Sequence, residues 1–152
     1  MKKSIFVLSV LLSVSISAQK QEKDPEISEY VKLVSKDSLK ANIEKLVSLG
    51  TRHTMSSTTD QEKGIGAARS WVLSKFKNYA KNSAGRMEVY LQNEDLQPDG
   101  KRINKVTNLG NAIALLKGTD PADKRIVIIS GHLDSRVSDV LNSTDYAPGA
   151  ND

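Results

Sequence analysis

The chain has 152 residues, 38% of them hydrophobic, with no cysteine and 22 Lys and Arg against 18 Asp and Glu. The missing cysteines exclude a disulfide scaffold, a thiol nucleophile, cysteine-ligated zinc and a lipid anchor on sulfur. The formal charge of +4 is spread among acids, with no dense basic run interleaved with aromatics, so nucleic acid is not an expected partner.

The first segment reads as an export signal. Lys2 and Lys3 precede an apolar stretch, Ile5 to Ile16, broken only by serines, and Ser17-Ala18-Gln19 offers a small-residue cleavage site. The run is shorter than the roughly 20 residues of a membrane-spanning helix, so no stable membrane anchor is expected. Residues 1–18 are thus assigned as signal peptide, and the protein is expected in the periplasm or outside the cell. Residues 19–34 are a polar lead-in and a first helix, with Asp24-Pro25-Glu26 as its start.

Residues 35–152 read as the body of the fold. "SLKANIEKLVSLG" places Leu39, Ile43, Leu46 and Val47 on one helix face, and Gly50 stops it. After the loop "GTRHTMSSTTD", Asp60 is the expected cap of a helix running to about Lys81. Ala68, Trp71, Val72, Phe76 and Tyr79 form its buried stripe. Gly64-Ile65-Gly66 lacks the third glycine and the preceding strand of a dinucleotide loop, so close packing accounts for it better. "RMEVYLQ" alternates as a strand, with Met87, Val89 and Leu91 on one side. "NKVTNLGNAIALLKG" supplies a second strand, and "RIVIIS" a third, buried on both faces. Residues 137–152 form a loop. The fold class is α/β layers with a mixed sheet.

Chemistry concentrates where the third strand ends. In "SGHLDSR", His132 and Asp134 stand two apart and point to one side of an extended chain. The carboxylate can then hold one imidazole nitrogen while the other takes a metal. The same spacing also fits an ordinary polar strand end. Asp152 follows the Pro148-Gly149 turn, and its two oxygens could bridge two metal ions; "AND" is equally a simple turn. His53 reads as a structural or solvent-facing histidine. Trp71 reads as core, and Ser135 has no placed base for serine hydrolase chemistry.

"GHLDSR", a variable loop and then "APGAND" resemble the secreted zinc aminopeptidases of metallopeptidase family 28, clan MH. "LVSLGTRHT" and "GIGAARSWVLSKF" resemble the leading helices of its bacterial members, so the likeness spans about residues 35–152. It implies a three-layer α/β/α sandwich with a mixed β-sheet, of which this chain is the amino-terminal part. It implies two Zn2+ per complete site, with His132 ligating one zinc, Asp134 orienting His132, and Asp152 bridging both. Substrates would be peptides or proteins with a free amino terminus, attacked by a zinc-activated water. The family's general-base glutamate and remaining ligands follow the bridging aspartate, so the fragment alone is expected to be inactive and poorly metallated. Two alternatives share the fold: a glutaminyl cyclase-like enzyme with one zinc, and a non-catalytic ectodomain.

Overall fold

The computed structural model describes residues 23–150. The expected signal peptide and Asp152 lie outside the described residues. The chain divides into two units, residues 1–36 and 37–152.

In the first unit, helix α1 spans Pro25–Lys32. The Asp24 carboxylate accepts hydrogen bonds from the N–H groups of Glu26 (2.8 Å) and Ile27 (3.4 Å), as the sequence leads one to expect. No residue of α1 is buried.

The second unit carries the core. Helix α2, Lys36–Ser48, ends where Gly50 turns to φ +74°, a conformation that favours glycine. Its apolar stripe starts a turn later than expected. Leu39 is 54% exposed, whereas Leu49, just past the helix, is buried against Ala67 and Ala68 with Leu46 and Leu133 around it.

Helix α3 spans Gly64–Ala80, four residues beyond the expected cap. The Asp60 carboxylate instead receives the N–H groups of Glu62 (2.7 Å) and Lys63 (3.0 Å), closing a separate turn. Gly64, at φ +80°, breaks the helical path before that turn could join it. The loop before α3 supplies the helix with acceptors. Gly64 N–H donates to Leu49 O (3.0 Å), Ile65 N–H to Ser56 Oγ (2.9 Å) and Gly66 N–H to Ser57 O (2.9 Å). These donors are therefore engaged within the protein, as close packing requires and a phosphate cradle does not. A Cβ on Gly66 would lie 2.3 Å from Thr58 O, so only glycine fits there.

Along α3, Ala68 is buried and Trp71, Val72 and Phe76 are half-buried, but Tyr79 is 51% exposed. Trp71 is not fully core either: the Lys75 ammonium stands 5.6 Å from its ring centroid.

Strands β1 (Met87–Leu96) and β2 (Thr107–Leu116) form an antiparallel hairpin, in register from Met87 opposite Leu116 to Leu96 opposite Thr107. Met87, Val89 and Leu91 occupy the covered side, as their alternation predicts. The connecting loop is held by Asp99, whose carboxylate accepts three N–H groups, from Lys101, Arg102 and Ile103, each at 2.8 Å. Helix α3 packs on both strands.

The expected third strand is corrected. Ile126, Val127, Ile128 and Ile129 are 81–94% exposed, and residues 126–130 join no ladder. A strand exists through hydrogen-bonded neighbours, and among the described residues the only sheet is the β1–β2 hairpin, bonded to neither end of this run. Leaving four branched side chains in water forfeits about 1.5–3 kcal/mol each. The described architecture is therefore mixed α/β, one helix layer on a two-stranded sheet. Among the described residues no helix is long and apolar enough to cross a membrane.

Candidate metal corner

His132 and Asp134 follow the apolar run outside any helix or strand, and their side chains come together. The imidazole Nδ1 lies 3.0 Å from the Asp134 carbonyl oxygen and 3.4 Å from its carboxylate Oδ1. Nδ1 is therefore the protonated nitrogen, donating to Asp134, and the lone pair that a metal needs lies on Nε2. Both side chains are about half exposed, so water or an ion can reach them. The arrangement fits one corner of a zinc site, an imidazole whose Nδ1 is held by a backbone carbonyl with a carboxylate beside it. It does not make a whole one: among the described residues no group of three or more metal-ligating side chains gathers.

The surroundings are held by two neighbouring residues that local sequence patterns do not single out as a pair. Arg52 is 1% exposed. Its Nε donates to Leu133 O (3.0 Å), between His132 and Asp134, and its Nη1 to Leu46 O (2.7 Å) near the end of α2. Its Nη2 donates to Gly149 O. The Arg52 N–H reaches Ser135 Oγ (3.1 Å), and that hydroxyl donates to Ala147 O (2.6 Å). Ser135 is thus a strut and not a nucleophile. A charged residue in a polar loop reads as surface. Its local hint is its place two residues after the Gly50 stop.

His53 is the structural histidine the sequence suggests. It is buried, its Nδ1 accepts the Met55 N–H (3.0 Å), and its Nε2 donates to Val140 O (3.0 Å). With both ring nitrogens engaged, it offers no lone pair to a metal.

A cleft of about 1140 Å³ opens between α3, β2 and residues 126–133, with Val72, Ile113, Ile128 and His132 in its walls. Arg69 lies at its edge, buried, with Nη1 on Asn108 Oδ1 (3.2 Å) and Nη2 on Asn108 O (2.9 Å). Its Nε meets no partner among the described residues, and burial lowers the guanidinium pKa from its ordinary value.

A probable zinc metalloprotease of Leptosphaeria maculans is 42% identical over 129 residues, 85% of this chain and 30% of its own length. One from Pyricularia oryzae is 46% identical over 114 residues, 75% of this chain and 22% of its own. One from Pyrenophora teres f. teres is 39% identical over 140 residues, 92% and 29% respectively. The chain is similar to probable zinc metalloproteases. It spans less than a third of the length of these curated relatives. No protein-family profile matches the chain, and no solved structure does.

Proposed function

We propose that this chain carries the first part of the metal site of an exported zinc aminopeptidase, with His132 as ligand, Asp134 as the group that orients it and Asp152 as the bridge between two zincs. The observation that carries the reading is the His132–Asp134 pair, its Nδ1 turned onto Asp134 by 3.0 and 3.4 Å contacts. The likeness to probable zinc metalloproteases, 39–46% identical where they align, supports zinc and proteolysis. The aminopeptidase type, the second zinc and export rest on the family 28 resemblance and the leading segment.

Zinc in such a site acidifies a bound water and polarises the scissile carbonyl. The chain's own part is to present Nε2 and to hold that imidazole in one tautomer and one orientation, through Asp134. Peptides with a free amino terminus are the substrates this reading implies. The three-layer α/β/α sandwich belongs to the same proposal. The exposed run 126–129 supports it, since four branched residues in series suit the middle of a wider sheet.

The test is hydrolysis of amino-acid p-nitroanilides by the full-length protein, with and without a chelator, beside His132→Ala. Activity is expected to vanish on chelation, to return with zinc and to fall at least a hundredfold in H132A. Activity that survives thorough chelation refutes the reading. Cyclisation of glutaminyl peptides with one zinc bound would place the protein with the glutaminyl cyclases instead. Zinc binding with neither activity would mark a non-catalytic ectodomain.

A further inference from the structure

We infer that Arg52 is the positioning residue of the metal corner, fixing the distance between the His132–Asp134 segment and the turn that leads to Asp152. The inference rests on the zinc peptidase reading and adds to it a residue outside both site motifs. The guanidinium is planar and its donors stand in a fixed fork, so the carbonyls it binds are held at set positions relative to one another. Here those carbonyls belong to Leu46, Leu133 and Gly149. Leu133 lies between the two paired site residues. Gly149 lies three residues before Asp152.

An arginine that only capped α2 would need the Leu46 bond and no more. Two further guanidinium bonds reach 81 and 97 residues along the chain, one to each motif. Ser135 ties the same junction a second time, accepting from the Arg52 N–H and donating to Ala147 O. The group is 1% exposed, so water does not compete for these bonds. Lysine keeps the charge but replaces the fork with a single point, and it cannot hold three carbonyls in one plane.

The experiment measures zinc affinity of the full-length protein by competition with a chromophoric chelator, and the visible spectrum of its cobalt-substituted form. Wild type is compared with Arg52→Lys, Arg52→Gln, Ser135→Ala and His132→Ala, each checked for folding by circular dichroism. R52K and R52Q are expected to bind zinc about 10- to 100-fold more weakly with an altered cobalt spectrum, the usual range when a group supporting a ligand is lost. S135A, the gentler change, is expected to shift affinity in the same direction by a few-fold, and it decides the matter if the arginine variants do not fold. Variants that fold and bind zinc like wild type, with an unchanged spectrum, overturn the inference and leave the zinc reading intact. A wild type that binds zinc no better than H132A overturns the zinc reading, and this inference with it.

Discussion

Replacing Gly66 by alanine is expected to destabilise the protein, although alanine is the better helix former. In an exposed helix the exchange would gain about 0.8–1 kcal/mol. Here the added Cβ would sit 2.3 Å from Thr58 O, 2.4 Å from Thr58 C and 2.7 Å from Thr58 Cα. These are backbone atoms, and no rotamer change clears them. Overpacking of this kind costs about 1–3 kcal/mol. Pushing the loop away would also stretch the bond from Gly66 N–H to Ser57 O, worth about 0.5–1.5 kcal/mol. Loss therefore outweighs gain, leaving a net cost of about 1–3 kcal/mol, a drop of several degrees in Tm for a domain of this size. Two other glycines calibrate the measurement. At Gly110 the new Cβ would meet the Arg69 guanidinium at 3.0–3.1 Å, a side chain that can shift by a few tenths of an ångström where backbone cannot, so G110A should cost less than G66A. At Gly118 it would meet nothing within 4 Å, so G118A should be neutral or slightly stabilising. Urea denaturation of the three variants gives the order. A G66A protein as stable as G118A would refute the packing argument at the start of α3.

His53→Ala should cost about 2–4 kcal/mol, because it strands the Met55 N–H and the Val140 carbonyl at about 1–3 kcal/mol each; His53→Gln, which can serve one of them, should recover part of the loss in the same urea titration. Asp99 supplies a pH test. Hydrogen bonds from the N–H groups of Ile103, Lys101 and Arg102 hold its carboxyl below the usual aspartate value. A depressed folded-state pKa contributes stability above the unfolded value, near pH 4, and that contribution fades as pH falls through the folded value. Asp99→Asn should therefore lower the urea midpoint at pH 7, with the gap to wild type closing below about pH 4; a gap independent of pH would show that the loop does not depend on the charge.

Local signals marked much of this fold correctly. Asp24 before Pro25, Gly50 after Leu49 and the alternation of Met87, Val89 and Leu91 each state a backbone requirement within a few residues. Where two such signals competed, the reading slipped: Asp60 is a good cap, but its carboxylate closes a turn of its own and Gly64 starts the helix. The run at 126–129 shows a different limit. Its composition states a demand for burial, and composition cannot supply the neighbouring strands that would meet it. At the candidate site, the contact between His132 and Asp134 was legible because they stand two residues apart. Arg52 was not, since its acceptors are backbone carbonyls and every residue has one. Its role depends on which distant segments fold against it.

Those long spans also order events in time. During synthesis Arg52 emerges from the ribosome 97 residues ahead of Gly149 and 81 ahead of Leu133. Helices α2 and α3 and the hairpin can form from nearby contacts while those carbonyls are still unmade. The junction around Arg52 and His53 closes after these elements, once the chain has passed Gly149. Until then Arg52 can reach the Leu46 carbonyl but not those of Leu133 and Gly149, and His53 lacks the Val140 carbonyl. On the proposed zinc reading, metal capture would follow this loop closure and not the early collapse of the core.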